Sequence, residues 1–230
     1  MRITTHGDFL VQLAQLPKLF PINCYFVRES DGFAAPGIAE AAQKLGMPIQ
    51  RIVLTHAHGD HVGSLDRLHQ LLPAAEVMLS ARDARFLAGD MRLDPDEPQA
   101  KLRGGYQTTT TRPTRLLADG DWVGSLQVVS TPGHTPGHIA RRDRTLIAGD
   151  AFQTRAGLAV SGTINWLFPF PALATWHRPS ALASAERLRA LNPVRLAVGH
   201  GEVMEDPLAA IDEAIARTAQ QLGEAVYHGA

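Results

Sequence analysis

The sequence is poor in cysteine and has no long apolar run. Of its 230 residues only Cys24 is a cysteine, so no disulfide can form within the chain and a reducing compartment is favoured. No apolar run reaches the roughly 18 residues that a membrane-spanning helix requires. The N-terminal stretch also lacks the continuous apolar core of a signal peptide. These absences predict a cytoplasmic protein that does not bind membranes.

The sequence also lacks an excess of charge of either sign. Its 22 Lys and Arg residues nearly balance its 23 Asp and Glu residues, which gives a net charge of -1. Such a chain has no general electrostatic footprint for nucleic acid, so we expect no nucleic-acid partner. The length and the 45% hydrophobic content suffice for a core without disulfides. Because no linker or low-complexity tract divides the chain, we expect one domain over residues 1–230.

Short strand-like and helix-like patterns alternate along the chain, and residues 89–113 and 151–171 are expected to be loops. Strands are expected at Met1–Thr4, Phe9–Leu13, Ile22–Val27, Ile52–Leu54, Glu76–Leu79, Arg115–Leu117, Leu126–Ser130, Ile139–Arg141, Thr145–Ile147 and Arg195–Val198. Helices are expected at Gly37–Leu45, Gly63–Leu72, Ala81–Ala88, Pro179–Leu191 and Pro207–Leu222. Two similar halves of this kind predict two packed sheets with helices outside.

What the chain does contain is histidine, ten in all, of which six lie in three Gly-flanked clusters: His56, His58, His61, His134, His138 and His200. The first motif, Thr55 to His61, reads THAHGDH and directly follows a short predicted strand. Its potential ligands cannot all face one way on a strand or helix, but they can converge on a tight loop opened by Gly59. Neutral imidazole and carboxylate groups suit divalent ions such as zinc. The alternative interpretation is a polar loop with solvated histidines.

Three later motifs also follow predicted strands. The segment STPGHTPGH presents His134 on a rigid turn, and we interpret His138 in the same segment as structural. Asp150 ends the segment IAGD, and His200 lies in AVGHG. Alone, such residues are more often a turn cap or a core histidine with a satisfied hydrogen bond. Four strand-end motifs that all bring His or Asp favour one common metal site.

The set HAHGDH, TPGHTPGH, AGD and GHG resembles the metallo-β-lactamase superfamily, and the match spans residues 20–202. The resemblance implies an α/β (α+β) fold, a four-layer αββα sandwich of two mixed β-sheets flanked by helices, with metals at one edge of the sheets. It implies two metal ions, the first on His56, His58 and His134, the second on Asp60, His61 and His200, and both bridged by Asp150.

The activity implied is that of a dinuclear metal-dependent hydrolase. Two divalent ions, zinc first with iron or manganese as alternatives, would hold a bridging hydroxide, because a metal lowers the pKa of bound water from 15.7 to about 7. Asp60 and Asp150 are the predicted catalytic residues, Asp60 as the group that orients the nucleophile or moves a proton. We expect a small-molecule substrate of the ester, lactone or thioester type. The oligomeric state is open, with a homodimer as one option.

The resemblance narrows the substrate by exclusion. The best-known β-lactamases of the superfamily place a cysteine where Asp150 stands or lack the bridging carboxylate. Glyoxalase II enzymes add a helical C-terminal domain, for which the 30 residues after His200 are too few. Acyl-homoserine lactonases typically place a tyrosine just after the bridging aspartate, where this chain has Phe152-Gln153.

Aromatic residues shortly after Asp150 are candidates for the wall of an apolar substrate pocket. They are Trp166, Phe168 and Phe170, and Trp176 and His177 could reach the same rim. The alternative for each is an ordinary place in the core or on the surface.

Two rival activities and one rival class stay open. A mononuclear iron persulfide dioxygenase of the same superfamily would use His56, His134 and Asp150, but such enzymes usually leave the second site unfilled. A phosphodiesterase of the same fold is the other rival activity. A non-catalytic metal-binding or scaffold protein would be expected to have lost ligands, and every ligand position here keeps its residue type.

Overall fold

The computed structural model describes residues 1–27, 48–142 and 144–227. The helix expected at Gly37–Leu45 lies outside these ranges. The strands within them are β1 (Arg2–His6), β2 (Leu10–Gln15), β3 (Ile22–Val27), β4 (Arg51–Val53), β5 (Glu76–Ser80), β6 (Arg115–Leu117), β7 (Trp122–Val123), β8 (Leu126–Ser130), β9 (Ile139–Arg142), β10 (Thr145–Gly149), β11 (Phe152–Gln153), β12 (Ala159–Val160), β13 (Arg195–Val198) and β14 (Met204–Glu205). The helices are α1 (Gly59–Val62), α2 (Leu65–Leu71), α3 (Ala81–Leu87), α4 (Phe170–Leu173), α5 (Arg178–Arg189) and α6 (Leu208–Tyr227).

The described strands form four sheets. In the first half, β1, β2 and β3 make an antiparallel sheet, and β4, β5 and β6 make a parallel one. The second half forms a six-stranded mixed sheet in the order β14-β13-β10-β9-β8-β7, in which β10 and β13 are parallel. The short strands β11 and β12 pair with each other.

The central strand β10 of the six-stranded sheet is buried along its whole length. Because successive side chains of a strand point to opposite faces of the sheet, both faces must be covered there. Ile147 of β10 packs in a cluster with Leu10 of β2 and Val27 of β3. Its neighbour Leu146 belongs to a separate cluster with Leu188 of α5 and residues of α6. The antiparallel sheet therefore covers one face of the six-stranded sheet, and the two long helices cover the other.

The parallel sheet is buried in the same way. Met78 of β5 packs with Val128 and Ile139 of the six-stranded sheet. The adjacent Val77 and Leu79 belong instead to a cluster with side chains of α2 and α3. The layers thus run helices, sheets, sheet, helices, which confirms the αββα sandwich. One layer is divided, because the pairings among the described strands do not join β3 to β4.

Two predicted boundaries differ from the structure. The helix expected to start at Gly63 begins earlier and in two pieces, α1 and α2, because His58 is extended (φ −70°, ψ 147°) and the chain can turn helical from Gly59. The segment 151–171 is not only loop, since it contains β11, β12 and the start of α4. Its backbone is partly buried and must satisfy its polar groups through such pairings. None of the described helices has the length and apolar character to cross a bilayer.

Candidate metal centre

The loop from Thr55 to His58 and the helix α1 bring four polar side chains to the end of β4. His56 and His58 are almost completely buried, whereas the side chain of Asp60 is 33% exposed. Because α1 starts directly after His58, Asp60 and His61 occupy its first turn, and the His61 ring lies 4.2 Å from the His56 ring, centroid to centroid. Residues that are close in sequence therefore contribute to two neighbouring groups of side chains.

Three buried imidazoles form the inner group, which we define as His56, His58 and His134. Each offers one nitrogen, and the three nitrogens lie within 4.8 Å of one another. The closest approach joins His58 Nδ1 to His134 Nε2 at 3.0 Å. His134 reaches this place from the turn between β8 and β9.

The outer group consists of Asp60, His61 and His200, whose donor atoms also lie within 4.8 Å of one another. The carboxylate atom Asp60 Oδ2 is 3.4 Å from His200 Nε2 and 3.6 Å from His61 Nε2. His200 follows β13, the strand that lies parallel to β10. The outer group is therefore assembled from the two halves of the chain.

Asp150 lies between the two groups and is 97% buried. Its Oδ2 is 3.4 Å from His134 Nε2 in the inner group and 3.1 Å from His200 Nε2 in the outer group. Its Oδ1 is 3.4 Å from His61 Nε2. The preceding Gly149 adopts a left-handed conformation (φ 50°), which turns the end of β10 toward this centre. All seven residues proposed from the sequence as ligands are thus brought together.

The ring nitrogens that face away from the centre have partners, and these fix the orientation of the rings. His58 Nε2–H donates to the Arg103 carbonyl (3.0 Å), and His200 Nδ1–H donates to the Pro21 carbonyl (2.6 Å). His134 Nδ1 is 2.8 Å from the Ser161 hydroxyl. The carbonyl acceptors require a proton on the outward nitrogens of His58 and His200, so the opposite nitrogen of each neutral ring is unprotonated and can act as a ligand.

Several polar atoms that face the centre are buried and have no hydrogen-bond partner in the part of the chain that the structure describes. They are His56 Nε2, His61 Nε2 and Asp150 Oδ1. A buried polar atom without a partner is costly and rare in native proteins. Bound cations would satisfy all three atoms at once, so the residues present fit a metal centre of the kind predicted from the sequence.

The two groups differ in the pKa values of their histidines. Burial, and then the neighbouring imidazoles, hold the pKa of His56 and of His134 well below the ordinary value. Burial also lowers the pKa of His200, but the charge of Asp150 and hydrogen bonds to Asp150 and Asp60 outweigh it and raise that pKa to about 10. His61 is shifted upward by Asp150 in the same way, against the effect of burial on its pKa. The lowered pKa values favour the neutral form of the inner imidazoles, and the raised pKa values favour the protonated form of the outer ones.

His138 is not among the grouped ligands, and the structure gives it a positioning contact. Its Nε2 accepts the backbone N–H of Asp150 at 3.1 Å, and its Nδ1–H donates to the Thr131 hydroxyl at 2.8 Å. Burial lowers the pKa of His138 to about 3, so it keeps the neutral form that can accept the Asp150 bond. It holds the backbone of the shared carboxylate in place.

Asp83 in the first turn of α3 was not predicted as a site residue. It is fully buried beneath the two loops that carry the inner group. Its Oδ2 accepts the Ala57 N–H at 2.9 Å and the Thr135 hydroxyl at 2.7 Å, and its Oδ1 accepts the Gly137 N–H at 2.7 Å. Burial raises the pKa of Asp83 to about 6, against the lowering by these donors. Nothing in the sequence around Asp83 distinguishes it from an ordinary residue at the start of a helix.

The polar loop at 89–113 also contributes more than the sequence indicated. Besides the Arg103 carbonyl that holds His58, the Gly105 carbonyl accepts the Gly59 N–H at 2.7 Å, at the start of α1. Gly104 is left-handed (φ 81°), and a Cβ there would come within 2.5 Å of His58 Nε2. The loop therefore needs glycine at this position in order to lie against the His58 ring.

A cavity of about 310 Å³ opens onto both groups. Its lining combines candidate ligands, including His58 and Asp60, with the apolar side chains of Phe20, Phe170 and Leu173. The Phe20 ring lies 4.9 Å from the His200 ring, centroid to centroid. This wall is only partly the one predicted, since neither Phe20 nor Leu173 was singled out from the sequence.

The other predicted wall residues occupy different places. Phe168 is buried and packs against Phe20 and Phe170. Trp166 is 85% exposed and borders a separate surface pocket. Trp176 is buried and donates from Nε1 to the Ala100 carbonyl, and His177 caps the start of α5 through its ring nitrogen. Of the predicted set, Phe170 alone is among the described residues that line the cavity.

Comparisons of the sequence and of the fold with known proteins find a matching family model, similar sequences and similar structures. Residues 18–200 match a family model described as the metallo-beta-lactamase superfamily. The uncharacterized protein YobT of Bacillus subtilis (strain 168) is 49% identical over 228 residues, covering 94% of this chain and 97% of YobT. A hydroxyacylglutathione hydrolase of Xanthomonas campestris pv. campestris (strain B100) is 32% identical over 143 residues, which cover 60% of this chain and 46% of that enzyme. A di-iron-bound form of TTHA1623 aligns over 91% of this chain and 97% of its own, with a TM-score of 0.56 and 25% identity.

Proposed function

The chain belongs to the metallo-beta-lactamase superfamily, and from this premise we propose that it is a dinuclear metal-dependent hydrolase of small esters, lactones or thioesters. Members of the superfamily are mostly metal-dependent hydrolases of small molecules. One observation carries the proposal for this chain. Two triads of buried or half-buried residues lie on either side of a single carboxylate, Asp150, and three atoms that face this centre have no hydrogen-bond partner among the described residues: His56 Nε2, His61 Nε2 and Asp150 Oδ1.

The ligand set suits zinc, with iron or manganese as alternatives. Five imidazoles and two carboxylates are borderline ligands that accept any of these ions, and the di-iron form of TTHA1623 supports iron as a candidate here. When bound, a pair of such ions lowers the pKa of a water molecule and polarises the oxygen of a carbonyl group. We propose that His56, His58 and His134 hold one ion, that Asp60, His61 and His200 hold the other, and that Asp150 serves both.

The two carboxylates would have different tasks. Asp150 is buried and fixed, with its backbone N–H bonded to His138, so its task is to hold charge at a constant position. Asp60 is the more exposed of the two, and its Oδ2 faces both His61 and His200. We propose that Asp60 orients the attacking water and accepts or passes on a proton, since it is the carboxylate that solvent can reach.

The cavity favours a substrate whose acyl part is apolar. Phe20, Phe170 and Leu173 are among its lining residues, and the described lining residues include no lysine or arginine. A substrate with free carboxylates or phosphates would be expected to meet cationic side chains there. This supports esters, lactones or thioesters with an uncharged acyl chain over glutathione conjugates and phosphodiesters. The alignment with the hydroxyacylglutathione hydrolase covers only 46% of that enzyme.

Metal analysis of the purified full-length protein, followed by an activity panel, tests the proposal. We expect two ions per chain and hydrolysis of acyl esters, lactones or thioesters in preference to phosphodiesters and β-lactams. One iron per chain with oxygen consumption on a persulfide would favour the mononuclear dioxygenase instead. A protein that binds no transition metal at micromolar concentration would overturn the proposal.

A single domain over residues 1–230 and a cytoplasmic location are further parts of the proposal.

A further inference from the structure

The carboxylate of Asp83 lies at the junction of two loops that are distant in sequence. One loop carries His56 and His58 on either side of Ala57, and the other carries His134 next to Thr135. Asp83 bonds to Ala57 in the first loop and to Thr135 and Gly137 in the second, and these are not themselves candidate ligands. The outer group has no such contact with Asp83 among the described residues. The two groups are thus unequally supported.

The three bonds to Asp83 are matched to a carboxylate. Ala57 and Gly137 present backbone N–H groups and Thr135 presents a hydroxyl, so two of the three partners can only donate. A carboxylate accepts from all of them, whereas an amide would direct its NH₂ group at one of the donors. Space is also tight, since a Cβ on Gly137 would come within 2.5 Å of Asp83 Oδ1. Relaxation of the loops around a replaced Asp83 is therefore restricted.

We infer that Asp83 is a positioning residue for the inner group, and that its loss weakens metal binding there in preference to the outer group. This inference rests on the proposed dinuclear site. The spacing of His56, His58 and His134 depends on the relative placement of two loops, and Asp83 is a buried carboxylate that bonds to both. Replacing a residue that supports metal ligands typically lowers affinity by about 10- to 100-fold, and we expect Asp83→Asn to do so for one ion of the two.

The test is stepwise metal removal from the full-length holoprotein by a chelator, with zinc or cobalt counted per chain. We expect wild type to retain two ions at a chelator concentration at which Asp83→Asn retains one. Adding His200→Ala to Asp83→Asn should remove that remaining ion, whereas adding His58→Ala should not. The absorption bands of cobalt in the inner group can be assigned as those that the His58→Ala protein lacks. The cobalt-loaded Asp83→Asn protein should lose the same bands.

Two matched controls separate positioning from general destabilisation. Ser80→Ala removes the cap that accepts the Asp83 N–H (3.1 Å) but leaves the carboxylate bonds intact. Asp66→Asn alters another carboxylate that accepts two backbone N–H groups, those of Thr110 and Thr111, away from the ligands. Both variants should keep two ions even where their melting temperatures fall.

Two kinds of result overturn the inference. One is Asp83→Asn retaining both ions like the controls, and the other is Asp83→Asn losing both ions together. Should Asp83→Asn fail to fold, Thr135→Val removes a single donor and is expected to weaken the same ion by a smaller factor. Failure of the proposed function would look different, since wild type itself would then not hold two ions.

Discussion

The inner and outer groups contain three ligands each but differ in how the protein supports them. The inner histidines are at most 3% exposed and their pKa values are lowered, so they are neutral before a metal arrives. In the outer group the Asp60 side chain is one-third exposed, and the pKa values of His61 and His200 are raised. The inner group is therefore preformed by its surroundings, whereas the outer group depends on charge balance with Asp60 and Asp150.

The difference suggests a division of labour. A preformed, neutral and buried triad suits an ion that stays in place. A partly exposed group that contains a carboxylate suits the side where water and substrate enter, and the aromatic wall lies on that side, since Phe20 packs on His200. Each prediction below would sharpen this contrast or remove it.

The largest effect is expected for Asp150→Ala, because Asp150 lies between the two groups and is the proposed ligand of both ions. The substitution removes a carboxylate that lies beside both triads. It also removes the partner of His200 Nε2, which in the wild-type protein lies 3.1 Å from Asp150 Oδ2. We expect hydrolysis to fall on the order of 10⁴-fold, the range seen when a central catalytic carboxylate is removed, and metal content to fall at both groups. Steady-state kinetics and metal analysis provide the check.

Asp212→Ala is the control for that experiment, since Asp212 is a surface carboxylate that pairs with Arg189. It should leave activity and metal content unchanged. If Asp150→Ala keeps a tenth or more of the wild-type rate, the two groups do not act through a shared ligand and the contrast loses its basis.

The next effect concerns the inner group alone. Gly104→Ala would place a methyl group within 2.5 Å of His58 Nε2 at a left-handed position, whereas Gly105→Ala meets no atom within 4 Å. We expect Gly104→Ala to weaken binding of one ion by about 10- to 100-fold, since it displaces a ligand ring and its anchoring bond. Gly105→Ala should bind metal nearly as wild type does. Competition titration with a chromophoric chelator measures both, and equal behaviour of the two variants would argue against a preformed inner group.

The seven proposed ligands could be selected from the sequence because each one belongs to a short motif that follows a predicted strand and combines Gly with His or Asp. What supports them could not. Asp83 lies 52 residues from Thr135 and 54 from Gly137 and acts through their donors, while His58 is held by a backbone carbonyl that any residue at position 103 would supply. The alternation of strand-like and helix-like segments predicted two packed sheets with helices outside. It did not predict that one of these layers consists of two separate sheets, β1-β2-β3 and β4-β5-β6.

The third prediction concerns pH and the outer group. With the pKa of His200 at about 10, an ion entering the outer group must displace a proton near neutral pH. Lower pH favours the protonated ring, so binding should weaken as pH falls, by about tenfold per pH unit for each proton displaced. The inner histidines have lowered pKa values and should bind metal almost independently of pH between 6.5 and 8.

Zinc titrations of two variants separate these effects. His200→Ala reports on the inner group and His58→Ala on the outer group, each titrated calorimetrically in buffers of different ionisation enthalpy. Proton release should accompany binding in His58→Ala and be small in His200→Ala. The same release in both would mean that the two groups do not differ in charge before metal binding.

The smallest effect is expected at the aromatic wall, and it tests whether substrate approaches from the outer side. Phe170 borders the cavity and is about half exposed, so an apolar acyl chain could cover its remaining surface. Covering that surface contributes a fraction of the 1.5–3 kcal/mol of a fully buried phenylalanine, which predicts a KM about three- to tenfold higher for a long-chain ester in Phe170→Ala. The value of kcat and the metal content should change little, since the ring is not a candidate ligand.

Trp166→Ala is the matched control, because Trp166 is a larger and more exposed aromatic that borders a different pocket. If both variants raise KM equally, the chain lies over the whole exposed apolar segment. If neither does, substrate enters along another wall, and the outer group loses its assignment as the side of entry.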